Sequence, residues 1–206
     1  MSVSGRFFAR VYDSMMDSTE KAGLGDRRRA LLAAAKGDVL EIGAGTGVNL
    51  AYYGPDVRAL TLTEPEHPML RRLAKRAADD PHAPTVLRAP GEDLPFPDDS
   101  FDTVVSTLAL CTVDDQPRTL REIHRVLRPG GRLLFIEHVR SASSRTARWQ
   151  DRLRGINHAI AAGCTCNRDT ETTIRSTGFS ITEIAHGELP KAPPWVRPLI
   201  AGTAVA

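Results

Sequence analysis

The run Leu40-Glu41-Ile42-Gly43-Ala44-Gly45-Thr46-Gly47 constrains this chain more than any other stretch. A short apolar strand over 38–42 enters a glycine-rich turn, and a helical stretch over 48–53 leaves it. Glycine at a strand-to-helix turn permits positive φ and lets the backbone approach a ligand closely. The same alternation continues downstream. Strands are expected at 57–63, 85–88, 101–107 and 132–137. Helices are expected at 68–78 and 116–127, the second closed by Pro129-Gly130-Gly131. The turn-rich Pro95-Phe96-Pro97-Asp98-Asp99-Ser100 precedes the fourth strand. Strand-helix alternation of this kind implies a parallel sheet with helices on both faces. Ligands of such sheets bind outside the carboxyl ends of the strands. Binding residues are therefore expected in loops that begin near Gly43, Glu64, Ala89, Leu108 and His138.

The two ends of the chain read differently. Phe7, Phe8, Val11, Met15 and Met16 recur at intervals of three and four, which predicts an amphipathic helix. With Tyr12 it forms either a lid over a ligand or a face packed on the core. A second helix is expected at 26–35, stopping at Gly37. Beyond residue 140 the pattern predicts helices at 145–162 and 169–176. Strands at 179–184 and 198–204 follow, as an antiparallel hairpin at the sheet edge. A length of 206 residues suits one α/β domain. Within it, 1–35 forms an N-terminal helical part, 36–139 the ligand-binding core, and 140–206 the substrate-side helices and last strands. A formal net charge of +2, with no basic block, argues against a nucleic-acid partner.

Arg6, Arg10 and Asp13 interrupt the N-terminus, so no signal-peptide apolar region is expected. No stretch reaches the roughly 18 to 20 apolar residues of a membrane span. A cytoplasmic location follows as an expectation. Cys111, Cys164 and Cys166 are odd in number, and a reducing compartment keeps such thiols free. Cys164 and Cys166 form a C-x-C with no second Cys or His pair at zinc-like spacing, so no metal is expected.

The chemistry concentrates on the strand ends. A pyrophosphate-binding loop reads G-x-G-x-x-G, whereas this one reads G-x-G-x-G with Glu41 two residues ahead of it. An acid there repels a pyrophosphate and suits a cationic amino acid or a sulfonium. The bland alternative is a bare glycine turn. Glu64 ends the second strand, where a carboxylate can accept two hydrogen bonds from a ribose diol; otherwise it is an exposed loop acid. In Ala89-Pro90-Gly91-Glu92-Asp93, backbone near Gly91 and the Glu92 side chain can read an adenine edge, although the same residues also make plain turns.

Together these residues resemble the class I S-adenosylmethionine-dependent methyltransferases. Glu41-Ile42-Gly43-Ala44-Gly45-Thr46-Gly47 looks like the first cofactor motif of that superfamily. The stretches 94–102 and 125–131 look like the branch that includes quinone-biosynthesis C-methyltransferases. This resemblance covers roughly residues 36–139. It implies a Rossmann-like seven-stranded α/β sheet ordered 3-2-1-4-5-7-6, with S-adenosyl-L-methionine as the cofactor. The implied cofactor contacts come from Glu41, Gly43, Ala44, Gly45, Glu64, Gly91, Glu92, Thr107 and Leu108. Pro90 departs from the quinone branch, where an acid is usual, which shifts adenine recognition to Glu92 or backbone. A narrower resemblance, to the mammalian methyltransferase-like alkyl thiol methyltransferases, rests on Thr107-Leu108-Ala109-Leu110-Cys111, Glu137-His138-Val139, Trp149-Gln150, Gly163-Cys164, Arg168-Asp169-Thr170 and Gly178-Phe179. Those relatives carry an N-terminal membrane anchor, which is not expected here.

The acceptor implied is a small molecule, and three functions stay open. One is S-methylation of a thiol. Another is C- or O-methylation of a quinone, phenol or secondary metabolite. The third is a cofactor-binding scaffold without turnover. His138, at the end of the fifth strand, is the preferred general base, because histidine titrates near neutrality; the alternative is a structural histidine. His158 on a helix is a second candidate. Cys111, after the fourth strand, is expected to line the acceptor pocket or to be an inert buried thiol. The oligomeric state is left open.

Overall fold

The computed structural model describes residues 17–161 and 163–206. The expected helix carrying Phe7, Phe8, Val11, Tyr12, Met15 and Met16 lies outside these residues. Seven strands form one sheet: β1 Gly37–Ile42, β2 Val57–Thr63, β3 Thr85–Leu87, β4 Phe101–Thr107, β5 Leu127–His138, β6 Ser180–Glu188 and β7 Pro198–Val205. Their order is β3-β2-β1-β4-β5-β7-β6, as the resemblance implies. β3, β2, β1, β4 and β5 run parallel, and β7 is antiparallel to both β5 and β6.

Helices cover both faces because each inner strand is apolar on both sides. Along β4, Val104 belongs to one core and Val105 to the other; along β5, Leu133 and Phe135 oppose Leu134. Side chains alternate across a strand with period two, so consecutive apolar residues feed both faces. One face packs on α3, Gln116–Val126, through Leu120, Ile123 and Val126. The other packs on α1, Gly25–Leu32, and α2, His67–Ala77, through Leu32, Leu73 and Ala77. Burying such a leucine or isoleucine contributes about 1.5–3 kcal/mol each. Asp115 caps α3 by accepting the Arg118 N–H at 2.9 Å. Past β5 come α4, Ser144–Ile160, and α5, Thr170–Ser176.

Several boundaries differ from the sequence reading. β5 starts at Leu127, with no intervening turn. The Asp99 and Ser100 N–H groups bond to the carbonyls of Arg125 and Val126, and Leu127 pairs with Phe101. Pro129-Gly130-Gly131 is thus an irregularity inside a strand, with Gly130 at φ 76°. The stretch after the glycine loop is one 3₁₀ segment, Val48–Tyr52. α1 ends at Leu32 and follows a π turn, Glu20–Leu24, in which Gly23 takes φ 131°. Among the described residues, no helix is long and apolar enough to cross a membrane.

Candidate functional site

The loop leaving β1 turns through three left-handed glycines, Gly43 at φ 57°, Gly45 at φ 60° and Gly47 at φ 83°. A Cβ on Gly43 would stand 2.7 Å from the Ala109 Cβ, so the loop after β4 closes against it. The Ala44 N–H reaches the Thr63 carbonyl at 2.9 Å, and the Gly45 N–H reaches Glu64 Oε2 at 2.9 Å. Glu64 Oε1 accepts the Glu66 N–H at 2.8 Å. Glu64 therefore ties the end of β2 to the glycine loop. Burial raises its pKa, opposed by those two amides. Each carboxylate oxygen keeps a further lone pair for another donor.

Between the ends of β1 and β4 lies a cleft of about 50 Å³, lined among others by Arg28, Glu41, Gly43, Gly45, Asn49 and Thr107. Ala44 and Leu108 also face it. A buried network forms its inner wall. Tyr53 donates to Glu41 Oε2 at 2.7 Å, and the Asn49 amide donates to Glu41 Oε1 at 2.9 Å. Arg28 Nη1 donates to Asn49 Oδ1 and to Thr107 Oγ1, both at 2.8 Å. Its Nε reaches Glu20 at 3.0 Å. Burial pushes the Glu41 carboxyl up to about 7, against the Tyr53 hydroxyl, the Arg28 charge and the Asn49 amide. A guanidinium and a carboxyl at one end of a cleft suit an amino-acid zwitterion.

The loop after β4 is organised by Glu137. This fully buried carboxylate accepts the Ser106 hydroxyl at 2.7 Å and the N–H groups of Ala109, Leu110 and Cys111 at 3.2, 3.0 and 3.1 Å. Leu108 adopts φ 58°, a left-handed conformation that non-glycine residues adopt at a cost. Its N–H bonds to the Ile136 carbonyl at 2.7 Å.

The structure thus gathers Glu41, Gly43, Ala44, Gly45, Thr107 and Leu108 around one cleft and joins Glu64 to them through Gly45. Gly91 and Glu92 sit against α3. A Cβ on Gly91 would stand 2.9 Å from Thr119 Cγ2, and Glu92 Oε1 accepts the Asp114 and Asp115 N–H groups at 2.7 and 3.2 Å. His138 and Cys111 do not line the cleft. Both are buried, and burial pushes His138 down to about 4. His158 is exposed on α4, its Nδ1 3.1 Å from the Gly163 carbonyl. Sequence reasoning missed Arg28, Asn49 and Glu137 as site builders. Only Glu137 left a signal, as the acid beside His138 at a strand end.

Residues 40–135 match the methyltransferase domain family. The chain is 34% identical to human thiol S-methyltransferase TMT1A over 96% of its own length and 82% of that protein. It is 37% identical to human thiol S-methyltransferase TMT1B over 84% of this chain and 72% of that protein. Among solved structures, it is similar to a SAM-dependent methyltransferase from Thermotoga maritima with a TM-score of 0.69 and 23% identity. That likeness covers 100% of this chain and 97% of the other.

Proposed function

Because the chain belongs to the S-adenosylmethionine-dependent methyltransferase family, we propose that its acceptor is a small thiol, methylated on sulfur. One observation carries the thiol. The similarity to human thiol S-methyltransferase TMT1A extends over 96% of the chain, well past the matched domain at residues 40–135. It therefore includes α4, α5, β6 and β7, which lie outside the matched domain, and function resides in such particulars of a chain more than in the shared fold.

The bound S-adenosylmethionine supplies a methyl group made electrophilic by its sulfonium charge. Arg28 and Glu41 are suited to its amino-acid end, the guanidinium to the carboxylate and the carboxyl to the ammonium. Gly43 and Gly45 admit the backbone close to it, and Ala44 joins their wall. Glu64 keeps lone pairs for the ribose diol, and the Gly91 and Glu92 region stands for the adenine side. Thr107 and Leu108 form the floor at the end of β4. These residues would hold the donor, and positioning it against the acceptor would supply much of the acceleration. A thiol titrates at about 8.5, so a useful fraction is thiolate near neutrality without a strong base.

A labelled-methyl assay over alkyl thiols, phenols and quinols tests this reading. Thioether products are expected, with the rate rising with pH towards the acceptor thiol's own pKa. Glu64→Ala should raise the KM for the cofactor about tenfold to a hundredfold, from the roughly 1.5–3 kcal/mol of a hydrogen bond to a charged acceptor. Turnover of a phenol or quinol, with every thiol inert, overturns the thiol reading.

A further inference from the structure

The three cysteines and His138 come from three separate parts of the chain, yet they meet in one buried cluster. Cys164 Sγ lies 3.4 Å from Cys166 Sγ and 3.7 Å from Cys111 Sγ. One ligand atom each from His138, Cys164 and Cys166 fall within 4.8 Å of one another. None of the four residues is more than 6% exposed. His138 Nδ1 is the one buried side-chain nitrogen or oxygen among the described residues that has no hydrogen-bond partner. A buried polar atom left unpaired costs about 1–3 kcal/mol, so a native fold rarely keeps one without a use for it.

We propose that this cluster is a site for a thiophilic divalent cation of the zinc type, held by His138 Nδ1, Cys164 Sγ and Cys166 Sγ, with Cys111 Sγ in the fourth position. Four ligands at tetrahedral zinc distances, about 2.3 Å for sulfur and about 2.0 Å for nitrogen, stand about 3.5–3.8 Å apart. The Cys164–Cys166 and Cys164–Cys111 separations, 3.4 and 3.7 Å, lie close to that spacing, whereas Cys111 Sγ stands outside the compact group of the other three ligand atoms and closes on the fourth position as the cation binds. Zinc binding forms metal–sulfur bonds in place of S–H bonds, and the displaced protons leave to solvent; no electron is transferred. The histidine lone pair on Nδ1 becomes the nitrogen ligand, which gives the unpaired atom its partner.

The surroundings are built to hold such a cluster. Asn157 Nδ2 donates to Cys166 Sγ at 3.1 Å, as outer partners do for thiolate ligands. The Thr165 N–H and hydroxyl both reach the Cys111 carbonyl, at 2.8 and 2.9 Å, which zips the 163–167 loop to the loop after β4. Gln150 Nε2 holds the Cys166 carbonyl at 2.8 Å. Cys111 is three residues from Leu108, whose carbonyl lies 3.5 Å from Cys111 Sγ. The cation therefore pins the end of β5 and the loop after α4 to the loop that carries Leu108 into the cleft. It is a structural clamp on that loop, and it stands independently of which acceptor is methylated.

Sequence spacing alone leaves Cys164 and Cys166 without a second pair; folding supplies it. The test uses the full chain, reduced and stripped with a chelator. Titration with Co²⁺ alone should give one equivalent bound, with thiolate-to-metal charge-transfer absorption and visible bands of tetrahedral intensity. Zn²⁺ should displace the Co²⁺ one for one. Cys164→Ser and Cys166→Ser should each weaken uptake at least tenfold. Should those variants fail to fold, thiol alkylation of the unmodified chain decides. One equivalent of Zn²⁺ should protect all three cysteines. A reduced, folded chain that takes up neither ion, uptake that survives both serine variants, or alkylation at the same rate with and without Zn²⁺ would each overturn the proposal.

Discussion

At the end of β1, Glu41 is 2% exposed and its carboxyl titrates at about 7 instead of in the usual carboxylate range. Burial drives the rise. Tyr53, Asn49 and the Arg28 charge oppose it, and the Glu64 charge adds slightly to it. A carboxyl whose pKa is raised on folding contributes stability that is fully present below its unfolded pKa, near 4.5, and is lost as pH climbs to about 7. Up to about 3 kcal/mol is at stake over that window. Glu41→Gln should therefore flatten the fall in stability between pH 5 and 7, measured by denaturant unfolding at several pH values. Parallel profiles for the two proteins would show that Glu41 is already neutralised by Arg28. The same residue illustrates what was readable in advance. An acid two residues ahead of a G-x-G-x-G turn marked a cation-friendly site. Its partner Arg28 was not readable, because nothing near residue 28 in the chain points to Asn49 or Thr107.

Gly43 shows how two elements share one space. It needs a left-handed φ of 57°, and its missing Cβ admits Ala109 from the loop after β4. Gly43→Ala should destabilise by about 1–3 kcal/mol through overpacking and an unfavourable φ together. Adding Ala109→Gly should restore the contact share but leave about 1 kcal/mol of backbone strain. A double-mutant cycle by thermal or denaturant unfolding measures that coupling; additive effects would mean that the close approach contributes nothing. Local pattern and tertiary pairing also diverge at the start of β5. Pro129-Gly130-Gly131 carries every local signal of a turn, yet β5 runs through it. The pairing of Leu127 with Phe101 and the amides of Asp99 and Ser100 start the strand early.

For the whole molecule, β7 closes the sheet. It is antiparallel to β5 from Arg132 to His138 and carries β6 on its outer edge. Leu199, Ile200 and Ala204 on β7 are almost fully buried. A chain ending at residue 179 would leave the β7-facing edge of β5 unpaired and strip apolar cover from Phe135 and Ile136. An unpaired, apolar strand edge invites association. Loss of a single cooperative transition in calorimetry is expected, together with aggregation. A truncated chain that melts within a few degrees of the full one would make the hairpin an accessory.

The glycine loop, the period-two strands and the apolar faces of α2 and α3 follow from residues a few positions apart, so sequence alone determined the layered α/β class. The order of the strands came through motif resemblance, which rests on the same local runs. What only the tertiary structure decided are meetings between distant segments. Arg28 joins Thr107 across the cleft, Glu137 gathers the amides after β4, and His138 with Cys111 meets Cys164 and Cys166. Each depends on how β1, β4 and β5 lie side by side and where the chain after α4 returns. No local pattern encodes such a meeting, because a side chain's partner across the sheet is set by topology and register, and those are settled only when the whole core packs.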